Sequence, residues 1–391
     1  MKINIDIGQT FLSVFSFFII LIISIPLVYL VVRVLGSDGN LLELIFRRRI
    51  YEIIIRTLTL VFSVTILSLI IALTLSWIIE RTDIPWKKFF TILSVLPIVF
   101  PSYVAGMIFV DFLGPKGRVQ GWLEPFGVTQ LPEIYGFWGS TILLSLLSYP
   151  YLFLIIRSFL SRIDANLEEA SKILGKNGLK TFFLVTLPLL RPAISSGCIL
   201  VALYTLSDFG AVSILRYKTF TWSIYNQYEA SFDRNTAALL SVLLCIVATS
   251  FVYSESLMRG RLRYFRVSTG SARSQPKVEL GLWQLPCIFF CGSIVLVSVV
   301  IPMSVLTYWL LRGISNGEQL SILFGASLNS LTLAILTSVT VIGSVIPVAY
   351  LSIRHRNYFS GLVEKACFTG FALPSVAVSI SLVFFAAQIG K

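Results

Sequence analysis

The 391-residue chain is 56% hydrophobic and only 13% charged, with 31 Lys and Arg against 19 Asp and Glu for a net charge of +12. A soluble domain cannot hide that much apolar surface, and a mean hydropathy of +0.86 makes the bilayer its natural solvent. The basic excess is not interleaved with aromatics outside the apolar runs, which excludes a nucleic-acid surface and leaves the usual basic flanks of membrane spans.

In chain order, apolar runs fall at 11–35, 52–79, 89–113, 138–160, 192–214, 236–258, 284–311, 327–353 and 362–389. Each is long enough to cross the roughly 30 Å hydrocarbon layer as a helix of about 20 residues. The runs are continuously apolar and do not alternate, so helices are expected and a barrel is not. The fold class is therefore an all-α polytopic membrane protein of about nine transmembrane helices. The first run, Phe11 to Leu35, is too long for a cleavable signal and is read as a retained span. Prolines fall in the third, fourth and fifth runs (Pro97 and Pro101, Pro150, Pro192). With the N-terminus in the cytoplasm, most basic residues fall on the inner side. Arg47, Arg48 and Arg49 then lie outside, and the sequence offers no reason for them.

The cysteines (Cys198, Cys245, Cys287, Cys291 and Cys367) all lie in or beside apolar runs, and the only histidine is His355. Neither set has the spacing of a metal site or a nucleophile–base pair, so no catalytic residues, no tightly bound metal and no cofactor are expected. No Gly-rich phosphate loop occurs, so nucleotide chemistry would have to come from another subunit.

Residues 57–65 (TLTLVFSVT) match 330–338 (SLTLAILTS), and 100–112 (FPSYVAGMIFVDF) match 373–385 (LPSVAVSISLVFF). Arg81 and Arg354 stand apart by the same offset. One offset at three places points to two related units joined by the basic, Ser/Gly-rich stretch 259–283. The organisation expected is a first helix and outer loop (1–51), a complete unit (52–258), a cytoplasmic linker (259–283) and the truncated start of a second unit (284–391).

Residues 168–188 (EEASKILGKNGLKTFFLVTLP) form a charged, glycine-punctuated loop between the fourth and fifth runs. Asn166 is expected to cap a two-turn helix from Leu167, Glu169 to close the capping box, and Gly175 to end the helix in a positive-φ conformation. Leu167, Ala170 and Leu174 share one face. Gly178 starts a second segment, and Pro188 and Pro192 are expected to break the chain before it re-enters the bilayer.

This stretch resembles the EAA loop of ABC importer permeases: Glu-Ala-Ala, three residues, Gly, nine residues, Ile, any residue, Leu-Pro. Here the pattern is met by Glu169, Ala170, Ser171, Gly175, Val185, Leu187 and Pro188, with Ser and Val as replacements of similar size. Residues 203–234 (LYTLSDFGAVSILRYKTFTWSIYNQYEASFDR) resemble the fifth-span region of ferric-iron permeases of the two-unit type. The resemblance implies a type I, binding-protein-dependent permease: a complete six-span unit and an incomplete second one. It implies a multi-pass protein of the bacterial inner membrane, probed from inside by a cytoplasmic ABC ATPase dimer and served outside by a substrate-binding protein. Glu168, Glu169, Ala170, Gly175 and Pro188 would couple it to the ATPase, the two acids by pairing with basic groups there.

Charges within spans are expensive and default to functional candidates. Asp208, with Tyr204 one turn earlier, and Asp111 are the candidates for a substrate pathway, since ferric ion prefers oxygen ligands. Thiamine and phosphonate importers share the doubled design and stand as alternative substrate classes. A secondary transporter would not need the coupling loop, and a membrane enzyme would need clustered His, Asp or Glu.

Overall fold

The computed structural model describes residues 7–36, 47–128, 130–163, 165–230, 233–259, 277–317, 320–354, 360–361, 363 and 375–389. His355, Cys367, Pro374 and linker residues 260–276 lie outside them. Among the described residues the chain is helical, and its only strand-like pairing is one isolated bridge, Thr82 to Val278. Among the described residues, seven helices are long and apolar enough to cross a membrane, or eight if one bent pair forms a single span.

The helices that position the site are α1 (Ile7–Leu35), α2 (Arg48–Arg81), α3 (Lys87–Leu93), α4 (Ser102–Leu113), α5 (Phe137–Leu160), α6 (Ala165–Ile173), α7 (Leu187–Ser207), α8 (Gly210–Ile214), α9 (Phe220–Glu229), α10 (Arg234–Arg259), α11 (Gln284–Val295), α12 (Ile301–Ser315), α13 (Leu320–Arg354) and α14 (Ser375–Ile389). The core of the first unit is α2 packed on α5. Small hydroxyl residues let the two backbones close: Ser68 Oγ meets Ser148 Oγ at 2.9 Å, and Ser76 donates to the Phe153 carbonyl at 3.3 Å. α7 lies against α5 at Gly197, where a Cβ would stand 2.6 Å from Leu152 Cδ2.

Two predicted spans are not straight helices. The third is broken, with Lys87–Val99 and Ser102–Phe126 meeting at 103°. Pro97 and Pro101 supply the break, because each lacks the N–H that would continue the ladder. The fifth ends at Ser207, and α8 resumes after Asp208 and Phe209. Pro188 and Pro192 do not interrupt the chain as expected. A π-helical turn, Phe182–Thr186, runs directly into α7, where Pro188 falls in the first turn, and Pro192 lies inside α7.

Candidate functional site

The coupling stretch folds as a short helix, a turn and a second short helix. α6 starts at Ala165, so Asn166 lies within it and not at its cap. Gly175 has φ +76°, the left-handed value that closes the helix. Its surface is apolar outward: Leu167 is 43% exposed, Ile173 85% and Leu174 78%. Among the described residues, the face that the sequence presented as apolar is therefore largely exposed. Ser171 is buried and its hydroxyl lies 3.1 Å from that of Thr181, closing the loop on itself.

The first acid of the stretch makes contacts inside the protein that the sequence did not show. Glu168 is an internal anchor: Arg81 Nη2 donates to Glu168 Oε1 at 3.1 Å, and the Thr186 hydroxyl donates to the same oxygen at 2.8 Å. One carboxylate thereby joins the last residue of α2, the coupling helix and the π turn leading into α7. Its Oε1 is thus engaged inside the protein, and the side chain is 18% exposed. A second ion cluster stiffens the same end. Glu80 Oε2 receives Lys87 Nζ at 2.9 Å and Arg157 Nε at 3.4 Å. The end of the linker is pinned there too, with the Val278 N–H donating to the Arg81 carbonyl at 2.8 Å and the Leu280 N–H to Asp83 Oδ1 at 3.0 Å.

Deeper in the bundle, the two helix breaks face each other. At Gly210 an added Cβ would stand 2.4 Å from Ser102 Oγ and 2.5 Å from the Tyr103 backbone nitrogen. Asp208 occupies one break and caps α8, accepting the Ala211 N–H at Oδ2 (3.0 Å), while its carbonyl accepts the Thr221 hydroxyl at 2.6 Å. It is 8% exposed. Beside it opens a cavity of about 810 Å³ whose lining includes Asp208, Glu229, Tyr103, Tyr151, Tyr204, Tyr225 and Tyr228. The rings of Tyr151 and Tyr204 lie 5.5 Å apart. Among the described residues, two acids line this cavity and no Lys or Arg does. Ser102 of α4 and Ser375 of α14 both border it.

Tyr204 and Asp208 are thus brought together, whereas Asp111 is not. Asp111 Oδ2 binds Arg118 Nε at 2.6 Å, and the Arg118 guanidinium sits 4.0 Å from the centre of the Tyr308 ring. That acid is held by a salt bridge away from the cavity. Sequence reasoning missed Glu229 and four of the tyrosines. Tyr225, Tyr228 and Glu229 share one face of α9, an i, i+3, i+4 spacing that was readable once α9 was known to be a helix. The role of Arg81 was also missed, although the repeat had marked it.

The profile of the family described as "Binding-protein-dependent transport system inner membrane component" matches residues 72–259. The chain is 31% identical over 366 residues to the Fe(3+)-transport system permease protein FbpB 2 of Haemophilus influenzae, across 92% of this chain and 69% of that protein. It is 27% identical to the putative ferric transport system permease protein FbpB 1 of the same organism, across 82% of this chain and 53% of that one, so it spans about half the length of that relative. It is also 27% identical to the molybdate/tungstate transport system permease protein WtpB of Methanocaldococcus jannaschii, across 66% of this chain and 98% of that protein.

Proposed function

The chain belongs to the family of binding-protein-dependent transport system inner membrane components, and from that premise we propose that it conducts ferric ion past Asp208 and Tyr204. It is a multi-pass permease component of an ABC transporter and not an enzyme. The observation that carries the substrate class is the charge of the cavity: two carboxylates, Asp208 and Glu229, and five phenols, with no basic residue among its described lining. Carboxylate and phenol oxygens suit a hard cation. They would repel molybdate or a phosphonate, so the lining favours the ferric relatives over the molybdate one. Placement at two helix breaks also fits a pathway, because broken helices supply backbone groups and room to move at membrane depth.

The family's mode of action needs an ATPase and a substrate-binding protein. In this reading an ABC ATPase dimer lies in the cytoplasm against the exposed Leu167, Ile173 and Leu174, with Glu169 and Ala170 in the contact. A binding protein delivers ferric ion to the opposite face, and the N-terminus is cytoplasmic. Gly175 makes the turn that keeps the coupling helix short, and Pro188 begins the rigid rod that carries its displacement inward. Glu168 acts from inside, as the joint between that loop and α2.

The test is uptake of radiolabelled ferric ion by the full chain reconstituted with its ATPase and binding protein. ATP-dependent uptake that molybdate and thiamine do not compete with is expected. Uptake that persists without ATP and collapses with the proton gradient would make the protein a secondary transporter.

A further inference from the structure

The arginine triplet that the sequence leaves unexplained lies at the end of α2 opposite the coupling helix, about 50 Å away for a helix of this length. Its three members do different things. Arg47 lies beside Asp233; partial burial pushes that carboxyl up, but hydrogen bonds from Thr236 and Asn235 and the Arg47 charge outweigh it and leave it below its usual range. Arg48 Nε binds Glu52 Oε1 at 3.1 Å. Arg49 borders a separate cavity of about 420 Å³, shared with Arg56, Lys218, Trp222 and Asn226.

Arg49 and Arg56 are two turns apart and so lie on one face of α2. The opposite wall is held in place by two contacts: the Phe220 N–H donates to Thr57 Oγ1 at 3.1 Å, and the Tyr217 hydroxyl donates to the Arg56 carbonyl at 3.3 Å. They bring Lys218 in, its ammonium 5.7 Å from the Trp222 ring. Glu52 is the one acid in the lining, and Arg48 already engages it. Among the described residues Arg49, Arg56 and Lys218 form no ion pair. Three cations converging on one concavity repel each other, and an anion between them reverses the sign of that interaction.

We propose that this pocket binds a phosphate group. Two guanidinium forks match phosphate oxygens in pairs, Lys218 adds a point charge, and the Asn226 amide adds a neutral donor. The phosphate belongs either to an anionic lipid headgroup or to a free phosphate. Its extracytoplasmic location rests on the cytoplasmic placement of the coupling helix; the binding itself does not depend on which substrate is carried. The site also accounts for basic residues at the membrane end where they are ordinarily scarce.

The experiment uses the full chain with its partner subunits in two forms. In detergent, saturable binding of radiolabelled inorganic phosphate is measured. In nanodiscs containing phosphatidylglycerol, lipid retained through purification is measured by mass spectrometry. Saturable binding in either arm is expected, and the arm that responds identifies the source. Arg49→Gln and Arg56→Gln each weaken it by about tenfold or more, since each removes a charge-assisted contact, and Lys218→Gln weakens it in the same direction. Arg48→Gln, which frees Glu52 in the lining, weakens it less, and Glu52→Gln strengthens it. Both pocket arginines are exposed, so their replacement leaves the core intact. The proposal is overturned if neither probe binds saturably, or if binding survives the double change at Arg49 and Arg56. It is equally overturned if those changes impair only the docking of a binding protein with an acidic surface.

Discussion

Arg81 and Glu168 lie 87 positions apart in the chain and meet at 3.1 Å, with side chains only 7% and 18% exposed. The pair makes the coupling loop an extension of α2, so a push on α6 is delivered to a helix that runs the length of the bundle. Breaking a buried pair leaves one charge stranded, at about 3 kcal/mol. Arg81→Gln and Glu168→Gln should therefore each lower ATP-driven uptake while leaving ATPase association intact, because Glu168 does not face outward. Uptake and co-purification of the ATPase, measured on the same membranes, separate the two effects. Recovery of uptake in Arg81→Glu combined with Glu168→Arg would identify the ion pair as the cause, and loss of ATPase association in Glu168→Gln would refute this internal role.

Gly175 gives a contrasting case, since its role is conformational. It has φ +76° and nothing within 4 Å of where a Cβ would be, so substitution meets strain and no clash. Gly175→Ala should loosen the turn by about 1 kcal/mol, and Gly175→Asn, which tolerates the left-handed region, by less. Gly175→Arg adds bulk and charge beside the outward apolar face and should uncouple transport without unfolding the spans. The order Gly, Asn, Ala, Arg in uptake at equal membrane levels is the expected outcome. Equal uptake in all four would remove this residue from the coupling role.

The contrast between these residues explains what the sequence could show. Gly175 was readable because a positive φ is a local property, signalled by a glycine after a short amphipathic helix. The Glu168 contact with Arg81 was not readable because the partner comes from another helix, 87 positions away. The spans α1 and α5 followed from apolar length alone. The broken ones did not, since proline is tolerated in some membrane helices and bends others: Pro192 sits inside α7, whereas Pro97 and Pro101 turn the chain by 103°. Asp208 was legible as an intramembrane acid, but Asp111, with the same signal, is neutralised by Arg118. Composition marks both charges, and only packing tells them apart.

Asp208 combines a structural and a proposed transport role that one pair of substitutions separates. Asn at 208 can still accept the Ala211 N–H and cap α8 but removes the charge from the cavity. Ala removes both and costs about 1 kcal/mol of cap. Asp208→Asn is expected to abolish ferric uptake at normal membrane levels and unchanged thermal stability, whereas Asp208→Ala also lowers stability. Tyr204→Phe should give a partial loss. Full uptake in Asp208→Asn would confine this residue to the cap.

The close approach of the two helix breaks at Gly210 leads to the sharpest structural prediction. A methyl group there would overlap both the Ser102 hydroxyl at 2.4 Å and the Tyr103 backbone nitrogen at 2.5 Å. The hydroxyl can rotate away, but the backbone cannot move without shifting α4. Overpacking of this kind costs about 1–3 kcal/mol, so Gly210→Ala should lower the melting temperature of the purified complex and reduce uptake. Adding Ser102→Ala removes only one of the two obstacles and should restore only part of the loss. Complete rescue by Ser102→Ala would mean that the hydroxyl alone sets the spacing. No loss at all in Gly210→Ala would mean that the breaks separate easily, and that their contact does not hold the wall of the cavity.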